Sequence, residues 1–197
     1  GKVVYTQMLN ERGGIEADIT VTKLEENRFF IVTAGATALR DFNYIERAIP
    51  EDAHAFIIDV SSSYAMLGVM GPNARKLMEK VTDADLSNEG FPYGTAKEIS
   101  VGYATPLAVR MSFAGELGWE LYVPCDFAAG MFDALMGAGK ELDVKLVGLH
   151  AVDSLRLERG FKHWPSDIDP EHTPLESGLG FAVKFDKGDF LGKAALL

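Results

Sequence analysis

Residues 110–124 read R-M-S-F-A-G-E-L-G-W-E-L-Y-V-P. Gly115 and Gly118 bracket the carboxylate of Glu116, and a run rich in aromatic and β-branched residues follows at once. Glycine suits a backbone that must turn sharply or come close to another group. The pattern therefore predicts a Gly-rich hairpin feeding a strand. Glu120 stands inside the apolar run, between Trp119 and Leu121, where a carboxylate is costly unless something pairs with it. Alternate strand residues face opposite sides. Two readings follow, a Glu120 turned to water and a Glu120 held for a partner, and spacing alone does not choose between them.

Outward from this stretch the chain reads as strands interspersed with helices. Residues 3–9 are β-like and end at Asn10-Glu11-Arg12-Gly13-Gly14, a strong turn signal. Ile15, Ala17, Ile19 and Val21 then alternate with Glu16, Asp18, Thr20 and Thr22, a two-residue period that makes 13–14 a hairpin turn and sets Asp18 on the polar face. A second turn at Glu25-Glu26-Asn27 leads to a strand over 28–33. Helical spacing over 36–48 puts Leu39, Phe42, Ile45 and Ala48 on one side. Strands are expected over 55–61, 64–70, 96–101 and 107–113. Gly71-Pro72-Asn73-Ala74 opens a helix with Leu77, Met78 and Val81 on its buried side. A helix follows Asp126 with Phe127, Met131, Leu135 and Ala138 apolar. A short strand or an entry segment is expected over 144–149, and a helix over 150–159 with Leu155 inside. Residues 162–174 carry three prolines and read as a long loop, a class that tends to be functional. The tail reads as strand, turn and helix start. The whole is expected to be α+β, with mixed or antiparallel sheets and packed helices, in a single domain spanning 1–197.

Composition narrows the function. The 197 residues include 47% hydrophobic and 24% charged, ordinary values for a globular chain. The net charge of −10 argues against a nucleic-acid partner, which needs a basic face. No apolar run approaches the roughly 20 residues that cross a bilayer, and no signal peptide is visible, so no membrane partner is expected. The single cysteine, Cys125, rules out an internal disulfide and any multi-cysteine metal site. The expected compartment is cytoplasmic, or the mitochondrial matrix in a eukaryote. Gly1 lacks a preceding methionine and the tail stops in mid-element, so a piece of a longer polypeptide is expected.

No zinc signature, P-loop or dinucleotide fingerprint is present, and no G-x-S-x-G elbow. His163 and His172 are too far apart for helical ligand spacing, and no metal is expected. What remains is a dispersed polar set: Asp18, Arg110, Glu116, Glu120 and Arg156. A carboxylate can accept from two adjacent N–H donors, and an arginine clamps a carboxylate by the same geometry. A pterin ring carrying a glutamate tail presents both groups.

Four segments resemble the folate-binding domain of the aminomethyltransferase family, the glycine-cleavage T-protein and its relatives. They are Y-T-Q-M-L-N-E-R-G-G-I-E-A-D-I-T-V (5–21), M-G-P-N-A-R-K-L (70–77), the opening stretch (110–124), and G-L-H-A-V-D-S-L-R-L-E-R-G-F-K-H-W-P-S-D-I-D (148–169). E-H-T-P-L-E (171–176) and D-F-L-G-K-A-A-L (189–196) continue the likeness in order. Within the family the chain is more similar to the domain fused behind the flavin oxidase part of dimethylglycine and sarcosine dehydrogenases. Ala17-Asp18, where T-proteins usually have two acids, Trp119, and the Lys162-His163-Trp164 run point that way.

The resemblance implies roles residue by residue. Asp18 matches the catalytic acid near the folate nitrogen that attacks the one-carbon unit. Glu120 matches the carboxylate that anchors the pterin ring, and Arg156 an arginine toward the folate tail. Phe113 stands where the family commonly has a tyrosine, so a hydroxyl contact is missing there. Arg110 and Glu116 complete the cofactor-binding set. The implied cofactor is tetrahydrofolate, with FAD only in an N-terminal part of a parent chain. The implied partners are folate and a small imine derived from a methylated amine and delivered by an oxidase domain. The implied product is 5,10-methylenetetrahydrofolate. Two alternatives stand beside this. One is a stand-alone T-protein acting on a lipoyl-carried aminomethyl group. The other is a folate-binding module without catalysis, although the K-G-C-Y-x-G-Q-E run of the family's iron–sulfur branch is missing here.

Overall fold

The Gly13-Gly14 turn joins the first two strands, β1 (Val3–Leu9) and β2 (Ile15–Glu25), in the computed structural model, which describes residues 1–197. Gly13 takes a φ of +78°, and a Cβ on Gly14 would lie 1.8 Å from the carbonyl oxygen of Pro170. The first position needs a residue free to adopt left-handed backbone, and the second needs one with no side chain. After the Glu26-Asn27 turn, β3 (Arg28–Val32) pairs antiparallel with β2, with Thr20 opposite Val32 and Thr22 opposite Phe30. The sheet order is β1-β2-β3. A 3-10 turn at Gly35–Thr37 leads into helix α1 (Ala38–Ala48).

These elements belong to one compact unit, residues 4–59 and 162–197. Its core gathers Leu9, Ile15, Ile168, Leu179 and Leu196, with Tyr5, Trp164, Val183 and Phe190 packed against them. The segment 162–192 has no regular element longer than a 3-10 turn, and α5 (Lys193–Leu196) closes the chain. The loop is nonetheless tied to β2, because the Ile15 N–H donates to the carbonyls of Asp169 and His172, both at 3.1 Å.

The second unit holds residues 1–3 and 60–161. Its sheet has the order β4-β7-β6-β5, built from β4 (Tyr64–Met70), β5 (Ala96–Glu98), β6 (Leu107–Val109) and β7 (Gly118–Pro124). The pairings are antiparallel, with Gly68 and Val109 both opposite Glu120. β7 is thus an interior strand. Trp119, Leu121 and Val123 are fully buried, with Phe91, Met78, Met131 and Leu135 in the same core. Helices α2 (Ala74–Met78), α3 (Ala128–Gly139) and α4 (Leu149–Glu158) complete this unit. No helix in either unit is long and apolar enough to cross a membrane.

The α+β class with antiparallel sheets is as the sequence implies, and several local expectations are corrected. Residues 55–59 form no strand, and Phe56 and Ile58 are 82% and 66% exposed. A β-prone run needs a neighbour to hydrogen-bond to, and neither sheet offers this one a place. The same holds for 144–148, where Leu146 and Val147 are exposed, and for the tail, where a 3-10 turn at Gly180–Ala182 replaces the strand. The strands expected over 96–101 and 107–113 shorten to β5 and β6. In α1 the buried residue is Asp41, while Leu39 is 76% exposed. In α4 it is Arg156 that is buried, with Leu155 only half-buried. Phe127 is exposed, and Val81 and Ala138 are half-buried.

Candidate functional site

Asp18 lies on the polar side of β2, and that side is not open to water. The residue is half-buried, and β1 runs alongside it. Tyr5 and Gln7 are two apart on β1 and so share a face. Gln7 Nε2 donates to Asp18 Oδ1 at 3.1 Å, and the Tyr5 hydroxyl donates to the same carboxyl. Burial pushes the Asp18 pKa above the usual aspartate value, while the two hydrogen bonds and the nearby His163 pull it back. The Tyr5 phenol is pushed far up, first by burial and then by the Asp18 charge. It therefore stays protonated and acts as a donor. A carboxyl with a raised pKa and neutral donors around it is suited to taking up and releasing a proton.

Glu120 sits on the interior strand β7, between the buried Trp119 and Leu121. The reading in which it faces open water is not what the fold shows, because Glu120 is half-buried. Tyr122, two residues on and on the same side, donates its hydroxyl to Glu120 Oε2 at 2.7 Å. Burial raises the Glu120 pKa above the usual glutamate value, and the Tyr122 bond lowers it in part. A carboxylate offers about four lone-pair sites, so one hydroxyl leaves capacity for further N–H donors.

The remaining candidates, all in the same unit as Glu120, are held differently. Phe113 stacks on Phe161, with ring centroids 6.5 Å apart. Arg156 is buried, bonded through Nε to Asp153 Oδ1 at 2.7 Å and through Nη1 to the Phe161 carbonyl at 2.9 Å. Glu116 forms an ion pair with Arg159 at 3.0 Å. Gly115, with φ at +74°, lets this arrangement form, since a Cβ there would lie 2.1 Å from Arg159 Cγ. Phe113, Glu116 and Arg156 thus meet around the C-terminal end of α4. Arg110 does not join them. Its guanidinium donates to the Phe91 carbonyl and to Asn88 Oδ1 at 2.6 Å, and lies 5.8 Å from the Trp119 ring centre. Burial, with Arg75 nearby, lowers its pKa. This side chain fastens the 86–93 loop over the core. The two arginines read as ligand clamps are both engaged within the chain.

A family model described as the GCVT N-terminal domain matches residues 1–187. The chain belongs to the GCVT family. Over its full length this GCVT chain is 45% identical across 199 residues to 4-methylaminobutanoate oxidase (formaldehyde-forming) of Paenarthrobacter nicotinovorans, covering 24% of that protein. It is 37% identical across 211 residues to mitochondrial sarcosine dehydrogenase of Homo sapiens, again over its full length and 23% of the relative. The crystal structure of glycine cleavage system aminomethyltransferase T from Bartonella henselae superposes with a TM-score of 0.81 at 31% identity, over 99% of this chain and 52% of that one. The GCVT chain spans about a quarter of the length of these two curated relatives.

The sequence reading missed the partners that give the two GCVT acids their character. Tyr122 was findable, because period-two spacing places it on the Glu120 side of the strand. Gln7 and Tyr5 carry no such signal, since their meeting with Asp18 depends on the register of β1 against β2. His163, read as one of two loop histidines, is the smallest of the influences on the Asp18 pKa.

Proposed function

We propose that this chain is the folate-handling part of an oxidase or dehydrogenase acting on methylated amines. In this reading a flavin-bearing part elsewhere in the polypeptide releases an imine, and the one-carbon unit is captured as 5,10-methylenetetrahydrofolate. The observation that carries the reading is the full-length match to quarter-length stretches of an oxidase and a dehydrogenase. Asp18 supports the chemistry, being a half-buried carboxyl with a raised pKa and two neutral donors.

Tetrahydrofolate, when bound, supplies the nitrogen that takes up the one-carbon unit. Glu120 fits a pterin edge, since its single hydroxyl partner leaves lone pairs for adjacent N–H donors. Asp18 orients the attacking nitrogen and accepts its proton at the carboxyl oxygens. The rest of the chain's contribution is to hold the partners in line, which replaces a bimolecular encounter. Arg156, Phe113 and Glu116 meet at the C-terminal end of α4, and Arg110 supports the 86–93 loop.

A second reading, a T-protein using a lipoyl-carried aminomethyl donor, draws on the likeness to the aminomethyltransferase T structure. Titration of the full-length protein with tetrahydrofolate tests the site, and supplying each donor tests the reaction. Glu120→Ala is expected to weaken folate binding about tenfold or more, the loss of a charge-assisted pair. Asp18→Ala is expected to keep binding and lose turnover. Wild-type-like folate binding by both variants, with turnover intact, sinks the assignment.

A further inference from the structure

Glu120 stands opposite Gly68 on β4 and opposite Val109 on β6. Directly opposed residues of an antiparallel pair turn their side chains to the same face, with Cβ positions about 4.5–5.5 Å apart. The β6 neighbour fills its place, since Val109 is 2% exposed. The β4 neighbour leaves its place open, because Gly68 has no side chain and is itself exposed. The half-buried Glu120 carboxyl therefore has one flank walled and one flank bare.

The fold gives no reason for this glycine. Its φ is not positive, so its backbone conformation is open to residues with side chains. A Cβ at Gly68 would meet only the end of the Met70 side chain, Cε at 3.1 Å and Sδ at 3.8 Å, and a methionine tip can swing aside. Gly118, two residues before Glu120 on β7, differs: a Cβ there would lie 2.8 Å from the Val69 carbonyl oxygen, so close backbones dictate it. Glycine inside a strand costs stability relative to a residue with a side chain. Where packing does not require it, such a glycine marks a place that another molecule approaches closely.

The side chains around Gly68 indicate the shape of that molecule. Met66 and Met70 lie two residues to either side along β4 and so share the Gly68 face. Met66 is 54% exposed and Met70 is half-buried. Thioethers adapt to an aromatic ring and attract it. Glu120 accepts from Tyr122 at Oε2, which leaves its other oxygen for N–H donors at the ring edge. A flat ring carrying adjacent N–H groups meets both demands.

We propose that Gly68 is a specificity-determining residue, the bare floor on which a flat heteroaromatic ring lies while its N–H edge meets Glu120. The inference rests on the ligand-anchoring role of Glu120 proposed above. A side chain at position 68 would fill the space beside the carboxyl and lift the ring away from it.

The test uses the full-length protein and two probes, tetrahydrofolate and 2-amino-4-hydroxypyrimidine, which carries the ring edge alone. Gly68→Ala is expected to weaken binding of both by about threefold and Gly68→Val by about tenfold or more, the scale of an overfilled site. Melting temperatures of both variants should stay at or above wild type, since a side chain removes the strand glycine's penalty. In turnover assays KM for tetrahydrofolate should rise while kcat at saturation is kept. Wild-type-like tetrahydrofolate binding by Gly68→Val overturns the proposal. A lower melting temperature in Gly68→Ala also overturns it, by returning the glycine to the fold. A wild type that binds the pyrimidine but not tetrahydrofolate overturns the proposed function instead, and the pyrimidine affinity of Gly68→Val then decides the role of Gly68. A wild type that binds neither overturns both.

Discussion

Asp18 and Glu120 present two solutions to one problem, a carboxylate on a strand among apolar neighbours. Asp18 has two neutral donors from an adjacent strand and a basic side chain from a loop. Glu120 has one donor, Tyr122, supplied by its own strand. Burial raises the pKa of both, and hydrogen bonds lower each in part. Under the proposed function the difference separates two tasks. An acid that would give and take a proton is flanked by donors from a second strand, whereas an acid that would anchor a ligand edge keeps unspent lone pairs.

Removing the Glu120 partner should break the comparison most visibly. Tyr122→Phe is expected to destabilise the protein at neutral pH by about 2 kcal/mol, the worth of a hydrogen bond to a charged group. The loss should shrink in acid, where Glu120 is protonated, and urea unfolding at the two pH values measures it. A deficit that does not depend on pH would mean that ring packing, not the hydroxyl, matters.

Asp18→Asn should sharpen the contrast with a smaller effect of opposite sign. The folded-state pKa of Asp18 is raised, so its favourable contribution is complete below the unfolded pKa. That contribution is lost as pH rises through the folded value. At neutral pH the ionised carboxyl is therefore a burden, and the asparagine variant should melt a few degrees higher. Its advantage should fade as pH drops through the carboxylate range. Thermal melts from acid to neutral pH check this, and equal melting temperatures throughout would show the burden to be absent. Glu116→Ala should do least, changing stability by no more than about 0.5 kcal/mol, because its pair with Arg159 is partly exposed on both sides. Equilibrium urea unfolding decides it, and a larger loss would mark that pair as structural.

The parts of the fold legible in the sequence are those whose signal is local. The period-two run 15–22 and its glycine turn gave β2, and the aromatic run after Gly118 gave β7. The run 55–61 has the same local signal, yet it forms no strand because pairing is decided by what lies beside it. Burial of ionic groups was also hidden. Arg156 goes inside α4 because Asp153 and the Phe161 carbonyl receive its guanidinium, and Asp41 goes inside α1 because two threonines and Arg40 meet it. Hydrophobic periodicity ranks such residues as solvent-facing. The resemblance singled out Asp18 and Glu120, and Tyr122 follows from spacing along β7. Tyr5 and Gln7, however, reach Asp18 through the register of β1 against β2, which the sequence does not carry.

The chain has two tryptophans, and each compact unit contains one. Trp119 is wholly enclosed, and its indole N–H has no hydrogen-bond partner. Trp164 bonds the Ile15 carbonyl through its N–H and carries the Arg40 guanidinium on its face. The two indoles therefore occupy unlike dielectric surroundings and should emit at different wavelengths, the enclosed one to the blue. Intrinsic fluorescence thereby becomes a two-channel optical record, with one colour for the unit that carries Glu120 and another for the unit that carries Asp18.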